Sequence, residues 1–144
     1  MKLTTNFTLE EFQASGTAKK YNIDNTIPEK YRDNVFKLAQ TLQTIRDVYG
    51  QPIIVGSGYR CPAVNTKVGG VINSDHKYAA AADIKTKSDK PSDNKILFDL
   101  IVKLANEGKI KCRQILDEYN YDWIHISINH KDNPQKNNQV LHIK

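Results

Sequence analysis

The chain has 144 residues, a net charge of +5 and an apolar content of 39%, enough to bury an ordinary core in a single domain over 1–144 without disulfides. No apolar run approaches the ~18 residues of a membrane span. Met1-Lys2-Leu3-Thr4-Thr5-Asn6 has no hydrophobic stretch behind its lysine, so neither stable membrane insertion nor a secretory signal is expected and synthesis is expected to be cytoplasmic. Lys and Arg are scattered rather than blocked, which argues against nucleic acid and leaves a basic surface suited to another anionic partner.

Thr8-Leu9-Glu10-Glu11 reads as a capping box, with Phe7 and Phe12 placed as the hydrophobic staple around it. The short helix it opens should end near Ser15-Gly16. A second helix follows Pro28, where Tyr31, Val35, Leu38, Leu42 and Ile45 repeat at the spacing of one apolar face until Gly50 and Pro52 stop it. Ile53-Ile54-Val55 predicts a short buried strand running into the Gly56-Ser57-Gly58 turn, and residues 81–86 predict another. Residues 91–107 predict a third helix with Leu97, Leu100, Ile101 and Leu104 inward and Gly108 as its stop. Three strands follow, over 113–119, 123–128 and 139–143. Helices first and a run of strands last predict an α+β fold with a small, mainly antiparallel sheet. Cys61 and Cys112 lie far apart, form no CxxC unit and read as free thiols.

Three residues carry the chemistry. In Trp123-Ile124-His125-Ile126-Ser127-Ile128 the strand alternates, so the isoleucines face the core while Trp123, His125 and Ser127 face the other way. Asp83 follows four alanines and precedes Ile84, inside a strand where a carboxylate needs a cation or strong hydrogen bonds to offset its desolvation. His76, seven residues earlier, follows the polar stretch Gly69-Gly70-Val71-Ile72-Asn73-Ser74. Two imidazoles and one carboxylate are the inventory of a catalytic zinc site with one position left open. Each histidine alone is more often structural or exposed than a ligand, and the helical HExxH pattern is absent.

At this point a resemblance becomes specific. Phe7-Thr8-Leu9-Glu10-Glu11-Phe12, Thr17-Ala18, Ile23-Asp24-Asn25, Ser57-Gly58-Tyr59-Arg60-Cys61-Pro62 and Asn65-Thr66-Lys67-Val68-Gly69-Gly70 occur in that order. Ser74-x-His76, Ala81-Ala82-Asp83-Ile84 and Trp123-Ile124-His125-Ile126-Ser127 complete the series. The chain resembles the M15 family of zinc peptidases, the D-Ala-D-Ala carboxypeptidase-like group, and within it the short branch found in phage endolysins. The resemblance implies a sheet with helices packed on one side and Zn2+ held by His76, Asp83 and His125. It also implies a general base three residues before the last histidine, on Asp122. In a regular strand Asp122 has the wrong parity, so it must lie where the Asn120-Tyr121 turn can swing it round; Glu118, on the preceding strand, is the competing base. Arg60 resembles the family arginine that holds a substrate carboxylate or the developing oxyanion. Ser74 resembles a serine that bonds the substrate peptide, and Tyr59, Tyr121 and Trp123 are candidates for the cleft wall. His130 and His142 match no motif and read as structural or exposed.

The implied activity is hydrolysis of an amide bond in peptidoglycan stem peptides by a monomer. The bond is either D-Ala–D-Ala or, as in phage-type endolysins, L-Ala–D-Glu, and the protein would reach the cell wall after release from the cell. A phage particle component acting on the wall would use the same chemistry. The rival is a non-catalytic zinc-bearing module of the same fold, as in the hedgehog signalling domain. One departure stands out: where the family has glycine three residues after the first histidine, this chain has Ala79. A positive φ there would cost alanine on the order of 1 kcal/mol, so a differently shaped turn is expected.

Overall fold

The capping box forms as its residue types dictate. Thr8 Oγ1 accepts from the Glu11 amide at 3.3 Å, and the Glu11 carboxylate accepts from the Thr8 amide at 3.0 Å, opening helix α1 (Leu9–Gln13). The Phe7 and Phe12 rings meet with centroids 6.2 Å apart, closing the staple. The computed structural model describes residues 1–144. Helix α1 ends at Gln13, close to its predicted stop, and Ser15 then caps a further helix not expected from the sequence, α2 (Gly16–Tyr21), by accepting from the Ala18 amide at 3.1 Å. A 3-10 turn at Glu29–Tyr31 leads into α3 (Arg32–Tyr49), whose predicted stripe Val35, Leu38, Leu42 and Ile45 is buried. Gly50, at φ 77°, ends it in the left-handed conformation that favours glycine.

Strand β1 (Ile53–Ser57) runs two residues past its prediction. Helix α4 (Pro62–Lys67) was not expected, although Pro62 in its first turn is an ordinary start signal. After a 3-10 turn at Asp75–Tyr78 come β2 (Ala81–Thr86), α5 (Pro91–Asn106), β3 (Gln114–Glu118), β4 (Trp123–Ser127) and β5 (Gln139–Ile143). The sheet order is β1-β2-β4-β3-β5, antiparallel throughout except for the β3–β5 pair. The fold is α+β with a mainly antiparallel sheet, as the order of elements predicts. No helix is long and apolar enough to cross a membrane.

Register decides what each face carries. Asp83 pairs with His125 and Glu118 pairs with Trp123, and cross-strand partners share a face. Asp83, His125, Trp123 and Glu118 therefore stand on one side. Ile84, Ile115, Ile124 and Ile126 stand on the other and are fully buried with Leu97, Ile101 and Leu104 of α5 and the stripe of α3. The isoleucine face is the core, which leaves the opposite face for polar chemistry.

The β3–β4 hairpin turns through Tyr119, Asn120 and Tyr121, all at positive φ (52°, 57° and 65°). Non-glycine residues there cost about 1–2 kcal/mol each, so the surroundings must hold them. Fully buried Asn94 does so: its amide donates to the Tyr121 carbonyl at 2.9 Å and the Asp122 carbonyl at 3.3 Å. Its Oδ1 accepts from Thr86 N at 2.9 Å and Thr86 Oγ1 at 2.8 Å.

Candidate metal centre and active site

His76, Asp83 and His125 converge, each offering one ligand atom within 4.8 Å of the others. Asp83 Oδ1 lies 3.3 Å from His76 Nε2 and 3.1 Å from His125 Nδ1. Four ligands placed tetrahedrally about 2.05 Å from a zinc ion would stand roughly 3.3 Å apart, so both spacings fit. The chemistry of the donors fits as well. His76 Nδ1 is 2.6 Å from the Gly58 carbonyl, which can only accept, so Nδ1 carries the proton. Burial lowers the His76 pKa, against the pull of Asp83, and so favours the neutral ring. Its buried Nε2 is left as a lone pair with no hydrogen-bond partner, facing a carboxylate oxygen. Two acceptors facing each other need a cation between them.

The local backbone explains this arrangement. A Cβ on Gly58 would lie 2.7 Å from the Phe12 carbonyl oxygen, so glycine is what lets the β1–α4 connection close onto α1. Tyr59 N then bonds Phe12 O at 2.7 Å, and Arg60 N bonds His76 O at 3.0 Å. The same connection thus supplies the Gly58 carbonyl to His76 Nδ1, a partner that orients a ligand histidine and fixes its tautomer. Gly70 is crowded by side chains rather than backbone: a Cβ would fall 2.1 Å from Asn65 Oδ1 and 3.0 Å from Arg60 Nη1, so those two side chains would have to move. Asn65 Oδ1 accepts from that guanidinium at 3.3 Å.

Asp83, 17% exposed at its side chain, lies 3.6 Å from Arg60 Nη2 through its second oxygen. Burial alone would raise its pKa; His125 and His76 outweigh that and hold the carboxyl well below the usual range. Arg60 is lowered by burial, opposed by Asp83 and Glu118. Glu118, half-buried, is pushed above the ordinary carboxylate value chiefly by burial, with His125, Asp83 and Arg60 as charged neighbours. Asp122 is exposed just before β4. With Gly56, Ser57, Asp83, Ile84, Lys85 and Trp123 it lines a cleft of ≈ 230 Å³. The turn does swing Asp122 toward the cleft, but Glu118 is the acid that shares the ligand face.

The family model described as Peptidase M15 matches residues 5–127. The chain belongs to the M15 peptidase family. No curated protein matches it. The M15 match spans every residue that the site brings together.

The remaining candidates fall as follows. Ser74 caps the 3-10 turn, its Oγ accepting from the His76 amide at 3.2 Å, which leaves its hydroxyl proton free to donate. Tyr59, expected among the substrate contacts, is instead a core residue packed on Tyr31 with ring centroids 6.4 Å apart. Burial pushes its phenol up to about 12. Trp123 does line the cleft. Tyr121 packs edge-on against Phe98 of α5 at 5.5 Å. His142 is exposed and paired with buried Asp117, and His130 is buried against Asp75. Cys61 and Cys112 are free thiols, as predicted. Ala79 takes up φ 55° and ψ 31°: the turn keeps the left-handed shape that glycine would give, and alanine bears the strain. The Gly58 carbonyl and the surroundings of Asp75 are site features that sequence patterns did not indicate.

Proposed function

We propose that this M15 peptidase is a zinc-dependent peptidoglycan hydrolase that cleaves an amide bond of the stem peptide. The observation that carries the reading is the unprotonated His76 Nε2 facing Asp83 Oδ1 across 3.3 Å, a donor set that wants a cation. His76, Asp83 and His125 would hold the ion, which when bound supplies Lewis-acid polarisation of a carbonyl and acidification of water.

The chain's own residues supply the rest. Glu118 takes a proton from the attacking water as its oxygen adds to the scissile carbonyl carbon. It returns that proton to the amine as the C–N bond breaks, leaving a new carboxylate and a free amine. We favour Glu118 over Asp122 because it shares the face of His125 and Asp83, and burial raises its pKa in the direction a general base requires. Arg60 holds a substrate carboxylate or the developing oxyanion with the guanidinium hydrogens that Asn65 and Asp83 leave free. Ser74 donates to the substrate backbone, and Trp123 walls the cleft.

A second groove of ≈ 360 Å³, lined by residues including Ala14, Gly56, Ser57, Arg60, Val64 and Val68, meets the first at Gly56 and Ser57. A groove that runs on from Asp83 past Gly56 and Ser57 to Arg60 favours an extended substrate and an internal bond such as L-Ala–D-Glu, as in phage-type lysins acting after release, over removal of a terminal D-Ala. The net charge of +5 suits an anionic wall. Incubation with purified muropeptides and zinc, with products identified by mass spectrometry, tests the reading and names the bond. Zinc uptake with no new amine released would leave a non-catalytic zinc module instead.

A further inference from the structure

Behind the ligand set lies a second charged cluster that the reaction does not use. Asp75 immediately precedes His76, and its side chain is 4% exposed. Its Oδ2 accepts from Arg113 Nη1 at 2.8 Å. Its Oδ1 accepts from His130 Nε2 at 2.7 Å and from Asn133 Nδ2 at 2.7 Å. His130 Nδ1 accepts from the Asp132 amide at 3.3 Å, so a neutral ring satisfies both nitrogens, and the ring stacks on Tyr78 at 5.0 Å. Arg113 Nε also donates to the Pro134 carbonyl at 2.9 Å, and Asn133 Nδ2 to the Asn73 carbonyl at 2.9 Å. His130, Asn133 and Pro134 lie past residue 127, where the family match ends. The segment after β4 therefore clasps the loop that carries Ser74 and His76.

Gly58 and Arg60 also hold that loop at His76, and Asn34 Nδ2 donates to the Tyr78 carbonyl at 2.9 Å, but its own secondary structure is slight. Its 3-10 turn is four residues long, too short to persist alone. Ala79 beyond it is held in a strained left-handed conformation, which persists only where the surroundings over-determine it. Val71 and Ile72 before it are exposed. A buried ion pair is weak ground for stability, since apolar packing of the same volume serves as well or better.

We propose that Asp75, held by Arg113, His130 and Asn133, is a positioning residue that orders the 74–79 turn before metal arrives, so that His76 Nε2 is already aimed. This rests on His76, Asp83 and His125 being the metal ligands. An unordered loop would have to be frozen at the expense of binding energy.

The test uses the full chain stripped of metal, with amide hydrogen exchange over 73–79 and zinc affinity by chelator competition as readouts. The visible spectrum of the Co(II) form reports ligand geometry. Asn133→Ala, half-exposed and leaving the Asp75–Arg113 pair intact, should speed exchange of the loop about tenfold, leave the sheet unchanged and weaken zinc about tenfold. His130→Ala should weaken zinc more and alter the Co(II) bands, while His130→Gln, whose amide can donate to the same Asp75 oxygen, should recover most of the loss. Wild-type exchange and zinc affinity within twofold in Asn133→Ala would overturn the proposal, whether or not His130→Ala folds. If the wild type itself takes up no zinc, the ligand assignment fails, a result distinct from wild type and variants binding equally well.

Discussion

The choice between Glu118 and Asp122 is the most decisive perturbation the site offers. Glu118→Gln keeps the volume and a hydrogen-bonding carbonyl but removes the base. General base catalysis contributes about 10²–10⁴-fold, so kcat should fall by that factor, equivalent to about 2.7–5.4 kcal/mol at 1.36 kcal/mol per tenfold. KM and zinc content should stay near wild type. Asp122→Asn, at an exposed position just before β4, should change kcat less than about fivefold, in line with a residue that lines the cleft without moving the proton. The assay is initial-rate release of new amine from a defined muropeptide, with metal content measured on each variant. A second readout follows from the raised pKa of Glu118. A carboxyl raised by burial contributes stability below its unfolded pKa, and that contribution is lost as pH rises through the folded value. At neutral pH the metal-free wild type therefore carries a desolvated charge that Glu118→Gln lacks, so the variant should melt at least as high as wild type at pH 7, with the difference closing as pH falls below about 4. Wild-type turnover in Glu118→Gln beside a hundredfold loss in Asp122→Asn would refute the reasoning.

Zinc at 100 times its dissociation constant should stabilise the metal-free chain by about 2.7 kcal/mol, a Tm rise of roughly 5–10 °C for a domain of this size; His125→Ala should abolish that rise, and a Tm unmoved by zinc in the wild type would count against the ligand assignment. In Ala79→Gly, relief of left-handed strain worth about 1 kcal/mol opposes the loss of a buried methyl, about 0.8 kcal/mol, so chemical denaturation should show a change within about 1 kcal/mol. Ala82→Gly, at a fully buried position of β2, has no strain to relieve and should cost more; equal losses in the two variants would sink the strain argument. Asn94→Ala strips the partners from Thr86 and from the hairpin carbonyls and should cost about 2–4 kcal/mol, with proteolysis of the native state moving to the 119–121 turn.

Local signals were legible wherever the chain obeys short-range physics. The Thr8 capping box, the α3 stripe, the β2 boundaries and the alternation of β4 all stand as the residues predict, because each depends on neighbours within a turn or a strand. The ligand types were legible too: Asp83 among alanines asks for a cation in any fold that buries it. The sequence could not show which acid shares a face with His125, since that follows from pairing β3 with β4 in one register. Nor could it show that Gly58 offers its carbonyl to His76, or that the chain after β4 returns to hold Asp75, because these contacts join residues 18 and 58 positions apart. The chain by itself determines α1, α3, α5, its strands and the residue types of the candidate ligand set, through local propensity and the cost of burying charge. Only the tertiary structure decides which lone pair is left bare, which acid shares the face of His125 and Asp83 and which residues reach the loop that carries His76, because each is settled by register and chain crossing.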